Sequence, residues 1–441
     1  MLHVVLSVFL FFFTLGFVQS QNLYFPPNNS NTWETTSPNS LGWCEKNLDS
    51  LKNYLSSQNT KAFIILKDGK IVVEWYFGTF TADNNWYWAS AGKTLTSFLI
   101  GKAQQDGLLS INDKTSQYLG AGWTSCTTAQ ENAITIKHQL SMSTGLKDNV
   151  PDPFCTDPSC LVYQATPNTR WAYHNAPYTL LDGVIEGATG QTLQAYTTST
   201  LQSKTGITGL WIKSGYNNVF YSKPRMMARF GILMQNNGIW NGQTVMGDLN
   251  YLNQARNSSQ TINPSYGYLW WLNGKSSYMV PQSQLVFQGP LFPDAPADAY
   301  TALGKNGQIL SISPSTGLIV VRMGDSPSSN NDDELVSVSL GNEIWKRVNL
   351  ARNPCNITAL NNPEDISFKI YPNPSSQNIS IETVLLDYDI KITDITGREV
   401  FTTTHIRDAV FTPSINLEAG IYQVQIQKNQ SLWVKKVVIT K

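Results

Sequence analysis

The chain has 441 residues, 41% hydrophobic and 11% aromatic, with 31 Lys plus Arg against 31 Asp plus Glu. At roughly 150 residues per domain that length suits two or three domains, each able to bury a core. A formal charge of zero removes the electrostatic case for nucleic acid or an anionic membrane surface. Small molecules, short peptides or neutral polymers remain as ligands.

Residues 4–18, VVLSVFLFFFTLGFV, form an apolar run with only His3 ahead of it as a potentially basic side chain. The run is short for a membrane span, which needs about 20 residues, and Gln19 and Ser20 suit cleavage. Residues 1–20 therefore read as an export signal, and no later stretch is apolar enough to act as a transmembrane anchor. A polar lead rich in Pro, Asn and Ser fills 21–43. Cys44 to Ser57 is an amphipathic helical segment. KAFIILKDGKIVVEWYFG then reads as a hairpin turning at Asp68-Gly69. From Gly92 to Asp106 the period becomes helical, with Leu95, Phe98, Leu99 and Ala103 on one face, and Gly107 stops it. A middle region mixes helices with loops. SYGYLWWLNG, 265–274, returns to strand character and suggests an aromatic wall, although a buried strand explains those residues as well. GQILSISPSTGLIVVRMG, 307–324, is a second hairpin turning at Pro314 to Gly317. DDELVSVSLGNEIWKRVNLAR, 332–352, is a closing helix. Strands near both ends and helices between them predict an α+β domain over 44–352. A linker follows over 353–366. Residues 367–441 hold short alternating strands with no helical period, a small β-sandwich in outline.

Five cysteines, Cys44, Cys126, Cys155, Cys160 and Cys355, stand in a chain read as exported. Such cysteines tend to pair, with one left over. Cys155 and Cys160 bracket the turn TDPS and suit a local bridge. A bridge from Cys44 to Cys355 closing the large domain is also open. Metal binding is the weaker reading, because no histidine cluster completes a zinc site.

The chemistry starts in WYWASAGKTL, 86–95, where Ser90 and Lys93 are three apart. A serine hydroxyl needs a base before it attacks, and one helical turn lets the amine reach it. Helix amides favour the alkoxide, and the lysine must be desolvated to stay neutral. Trp86, Tyr87 and Trp88 are placed to supply apolar surroundings. Chance alone provides an S-x-x-K, so other words must support it. RWAYHNAPYTLLDGVIEGATG, 170–190, has Tyr173 and Asn175 ahead of a helix. Tyr173 suits a second acid or base, and Asn175 a ligand for the substrate carbonyl or the lysine. His174 alternates to the other side and reads as structural. Lys305-Asn306-Gly307 opens a strand further on. The cation there suits a carboxylate or the tyrosine, Gly307 allows close approach of substrate, and the amides of Gln308 and Ser90 suit an oxyanion hole. No G-x-S-x-G elbow, H-E-x-x-H or phosphate loop competes. GAGWTS, 120–125, reads as a turn.

In this order the three words resemble the serine β-lactamase and penicillin-binding-protein superfamily, in its class C and esterase-like layout. GKAQQDGLLSINDKTSQYL and ITIKHQLSMSTGL are similar to the family's segments after the nucleophile. GKNGQ followed by GLIVVRMG most resembles the branch with 6-aminohexanoate-dimer hydrolase. The resemblance implies an antiparallel sheet flanked by helices with a helical subdomain, and a serine hydrolase acting on an amide or ester without metal or cofactor. Carried over, Ser90 is the acylated nucleophile, Lys93 its base, Tyr173 the second acid/base, Asn175 a substrate or lysine ligand, and Lys305 the third-motif cation. Asn306 departs from the threonine of β-lactamases and weakens the case for a β-lactam carboxylate. The alternative is a catalytically silent protein that binds peptide or peptidoglycan-type ligands. YPNPSS, ITDITGREV, LEAGIYQVQI and KKVVITK resemble the C-terminal sorting domain of type IX secretion in Bacteroidetes. That resemblance implies secretion machinery as a partner and a secreted or cell-surface location.

Overall fold

The apolar runs at the two ends of the first domain meet in one sheet. Thr60–Lys67 and Lys70–Tyr76 pair across Asp68 and Gly69, both at positive φ (49° and 83°), as a two-residue hairpin turn of matching twist requires. Leu318–Gly324 adds to the other side of Thr60–Lys67. Gln308–Ser313, Tyr300–Gly304 and the short Trp271–Leu272 complete a six-stranded antiparallel sheet in that order. The computed structural model describes residues 23–327, 336–355, 368–376, 378–428 and 431–440. The export signal read over 1–20 lies outside them, as do most of the linker read over 353–366 and residues 332–335 of the stretch read as a closing helix.

Both faces of the sheet are covered, so Gln308–Ser313 and Leu318–Gly324 are buried at every position and carry no polar alternation. The Pro224–Gln235 helix packs on one face. On the other lies Val338–Arg352, alongside Glu45–Ser57, with Trp345 Nε1 donating to Ser311 Oγ at 3.0 Å. The helical region between the strands covers the Lys93–Gln105 helix, whose residues from Lys93 to Gly101 are all buried.

Two elements differ from the sequence expectation, while the turn at GAGWTS and the local bridge after it agree with it. Only Trp271–Leu272 of 265–274 is strand. The chain reverses there, with Gly267 N donating to Trp270 O and Leu269 at φ 63°, so its aromatics cluster instead of alternating. Leu210–Ser214 and Asn217–Ser222 form a hairpin that the polar residues around Gly215 had hidden, and Asn217–Ser222 pairs with Trp86–Tyr87. GAGWTS is a turn whose Gly122 and Thr124 amides both donate to the Glu131 carboxylate at 2.8 Å. Cys155 and Cys160 are bridged, Cys44 and Cys355 are also in disulfide linkage, and Cys126 is a free thiol.

A second compact unit spans Cys355–Lys441. It holds a three-stranded sheet, Lys369–Tyr371, Ser380–Glu382 and Val410–Phe411, and a four-stranded one in the order Glu399–Ile406, Tyr388–Asp394, Gly420–Lys428, Ser431–Ile439. Ile381, Ile390, Ile392, Val424, Ile426 and Val437 fill its core.

Trp345 is 1% exposed and ties the closing helix to the sheet. Trp345→Ala is expected to cost about 3–5 kcal/mol in the urea unfolding of the domain that holds it, followed by near-UV circular dichroism, and Trp345→Phe clearly less.

Candidate active site

Ser90 sits in a single turn, Ala89–Gly92, that feeds the Lys93–Gln105 helix. The chain enters it under constraint. Trp88 is fully buried, its ring edge-on to Phe220 at 5.1 Å, its backbone N–H on Phe220 O and its Nε1 on Ser222 Oγ, both at 2.8 Å. Ala89 follows with φ 47°, a conformation that costs an L-residue about 1–2 kcal/mol and persists because the neighbouring groups fix it. Ser90 emerges half-buried. The sheet touches this turn at Gly304, where an added Cβ would lie 2.4 Å from Trp88 O and 3.1 Å from Ser90 N. Only glycine lets the strand approach so closely.

Lys93 Nζ lies 3.1 Å from Ser90 Oγ. The residue is 4% exposed, and its amine stands over two aromatic faces, 4.0 Å from the Tyr178 ring centre and 5.4 Å from that of Tyr173. Burial pulls its pKa down to about 7, opposed by the charge of Asp182, so near neutral pH a large share of the amine is free to accept a proton. The apolar shield is therefore Tyr173 and Tyr178. Trp86 and Tyr87 are half-exposed, and Trp88 packs against Phe220 and Phe230 instead.

The Tyr173 hydroxyl meets the Ser90 side chain, and burial raises its pKa well above the ordinary tyrosine value, so it is held as a proton donor. Its ring stacks on Trp271 at 5.9 Å and meets Tyr266 edge-on at 6.2 Å. Those aromatics of 265–274 form a wall behind Tyr173, completed by Trp171. Asn175 begins the Asn175–Thr179 helix, 6% exposed, and lines the same cleft as Tyr173. His174 is 3% exposed with both ring nitrogens unpartnered, and burial lowers its pKa to about 4.

Sequence reading did not single out Tyr178, Asp182 or Leu303. Asp182, one helical turn beyond Tyr178, accepts from Asn218 Nδ2 at 3.0 Å, and its Oδ1 is shielded without a partner. Burial raises its pKa to about 7. Leu303 emerges from strand geometry. Asn273 N donates to Ala299 O, and Thr301 pairs with Trp271. With the two-residue period of a strand, the Leu303 amide faces the same edge, one step past the end of the Trp271–Leu272 pairing and next to the Gly304 contact with Ser90.

Lys305, Asn306, Gly307 and Gln308 are placed differently from the expectation. They form the turn between Tyr300–Gly304 and Gln308–Ser313, with Asn306 and Gly307 both at positive φ. Lys305 is exposed. Asn306 Nδ2 donates to Tyr87 OH at 2.7 Å, and the carbonyls of Asn306 and Gly307 accept from Arg322 Nη1 at 2.7 and 2.8 Å. An added Cβ on Gly307 would meet that guanidinium at 2.5 Å, so its missing side chain makes room for Arg322 and not for a substrate. Gln308 pairs with Gly304, so its amide belongs to the hairpin, and its side chain is spent on Gly324. The sequence word was legible, but it marks a hairpin turn, and the edge beside Ser90 is Leu303–Gly304.

Beside Tyr173 and Asn175 the cleft opens into a space of ≈ 590 Å³ walled by the 148–154 loop, Arg170, Gln282 and Gln284. Its size suits a small ligand.

Residues 58–338 match the family described as Beta-lactamase, and 369–440 match the secretion system C-terminal sorting domain. An uncharacterized protein of Alkalihalophilus pseudofirmus is 25% identical over 299 residues, 59% of this chain and 82% of that protein. Among solved structures, one from Bacillus anthracis described as a candidate 6-aminohexanoate-dimer hydrolase is 18% identical with a TM-score of 0.56, covering 75% of this chain and 91% of that one. A family VIII carboxylesterase is 13% identical with a TM-score of 0.53, covering 69% of this chain and 96% of that one. The two structures share the fold.

The lowered pKa of Lys93 has a sign that can be measured. Between about 7 and its ordinary value of 10.5 the unfolded chain binds a proton that the folded chain does not, so this group's penalty on folding is absent above the window and complete below it. Lys93→Met is therefore expected to raise Tm at pH 7, with the gain shrinking as the pH approaches 10, in thermal melts across that range.

Proposed function

Because the chain belongs to the beta-lactamase family, we propose that it is a secreted serine hydrolase that forms an acyl-enzyme at Ser90 and hydrolyses an amide or ester. The observation that carries this reading is the meeting of a half-exposed serine, a buried amine 3.1 Å away and a protonated phenol at one point. The sorting domain directs export by type IX secretion to the cell surface or beyond it. Among the described residues no helix is long and apolar enough to cross a membrane. In this reading residues 1–20 are the export signal, 44–352 the hydrolase, 353–366 a linker and 367–441 the address.

Neutral Lys93 takes the Ser90 proton as Oγ attacks the carbonyl carbon. The oxyanion that forms is held by the amides of Ser90 and Leu303, already oriented by the turn and the strand edge. Tyr173 then gives its proton to the leaving nitrogen or oxygen and recovers one from the Lys93 ammonium, leaving an ester on Ser90. Water repeats the sequence in reverse, with the Tyr173–Lys93 pair accepting its proton. Asn175 orients the substrate carbonyl group from the cleft wall. Asp182 tunes the amine through charge, since an ionised carboxylate stabilises the ammonium and a protonated one does not. The descriptions of two structural neighbours, a candidate 6-aminohexanoate-dimer hydrolase and a family VIII carboxylesterase, support a hydrolase.

A fluorophosphonate probe is expected to add covalent mass to the peptide containing Ser90, and Ser90→Ala to lose the adduct together with about 1000-fold or more of kcat on short nitrophenyl esters. Absence of both signals in the wild-type protein would leave only the ligand-binding alternative. For an active enzyme, kcat/KM should rise with pH through about 7 as Lys93 deprotonates. Tyr173→Phe should lower amide hydrolysis by about 100-fold or more and ester hydrolysis less, because an amine leaving group needs the proton more.

A further inference from the structure

The cleft beyond Tyr173 and Asn175 has two charged residues in its lining, Asp148 and Arg170. Arg170 Nη2 lies 2.7 Å from Asp148 Oδ1, with the two side chains 22% and 15% exposed. A lone guanidinium in such a partly buried position would hold an anion strongly, and a lone carboxylate a cation, because water screens them poorly there. Paired, they cancel. His174 is the third titratable group of the cluster, and the two charges that act on it are those of Asp148 and Arg170. Burial holds it uncharged at neutral pH, so the cluster carries no net charge. Arg170 Nη1 is closed off from solvent without a hydrogen-bond partner, so the pair offers the cleft no spare donor of its own there. Asn149 and Gln282 add side-chain amides to the same wall.

We propose that the Arg170–Asp148 pair is the specificity element of this hydrolase: it admits substrates that are uncharged beside the scissile bond and carry a second carbonyl there, and it turns away those bearing a free carboxylate or ammonium at that position. A substrate carboxylate reaching for Arg170 arrives next to Asp148, and an ammonium reaching for Asp148 arrives next to Arg170, so each meets a like charge in a poorly screened place. A neutral amide or ester carbonyl brings no like charge to either partner, and the side-chain amides of Asn149 and Gln282 in the same lining are its donors. The proposal rests on Ser90 being the nucleophile only in saying which bond lies next to the pocket.

The test uses three nitrophenyl esters of equal length, ending in a carboxamide, a carboxylate and an ammonium group. The carboxamide ester is expected to lead in kcat/KM by about 10-fold or more. Asp148→Asn should favour the carboxylate ester by a similar factor and penalise the ammonium ester, and Arg170→Gln should do the opposite. A purely structural role for the pair would change all three esters by one factor, and that result, or equal rates in the wild-type protein, overturns the proposal. Calorimetric binding of the matching N-methylamides to Ser90→Ala reads the same order without catalysis. If that order holds while the fluorophosphonate fails to label wild-type Ser90, the nucleophile reading falls and the pocket proposal stands. If labelling succeeds and the order is absent, the reverse is true.

Discussion

An amine kept out of water is the constraint on which the first domain's chemistry depends. Lys93 opens a helix buried without a break as far as Gly101, stands over the faces of Tyr173 and Tyr178, and lacks an ion-pair partner among the described residues. The tyrosines come from the segment that follows the disulfide loop. The aromatic wall behind them comes from residues about 90 positions later. Holding one side chain at the edge of ionisation therefore requires contributions from three distant stretches of chain, at a cost to folding that the extensive core must offset.

The second constraint is steric. The sheet must reach Ser90 without a side chain in the way, and Gly304 meets that need. Arg322 fixes the strand from beyond the turn. Its guanidinium is fully buried and bonds to the carbonyls of Gln58, Asn306, Gly307 and Asp325. Burial lowers its pKa to about 10, which still leaves it charged at neutral pH. That network explains why Lys305-Asn306-Gly307 has a motif's composition and a hairpin's job. A turn with two consecutive residues at positive φ favours Asn and Gly whether or not a substrate is near.

Local interactions made much of this protein readable in advance. The two long hairpins, the Lys93–Gln105 helix and the closing helix depend on side-chain period and turn chemistry within a few residues, which a sequence displays directly. The strands of the C-terminal unit have the same origin. The 265–274 segment misled because apolar aromatics suit a strand and a buried reversal equally well. The Leu210–Ser222 hairpin was missed because its apolar residues run together, Leu210 to Ile212 and Val219 to Tyr221, instead of alternating, and much of it is exposed.

By itself the sequence determined the serine and lysine one helical turn apart, the tyrosine and asparagine on alternate positions, the order of these words along the chain and the strand-rich tail, because each is a relation between neighbours in the chain. It takes the folded chain to stand Tyr178 and Asp182 by Lys93, to bring the sheet against Ser90 at Gly304, and to pair Arg170 with Asp148 in the cleft wall. Those are relations through space between elements that the sheet and helices bring together, and desolvation, strand-edge direction and charge pairing have no counterpart in spacing along a chain.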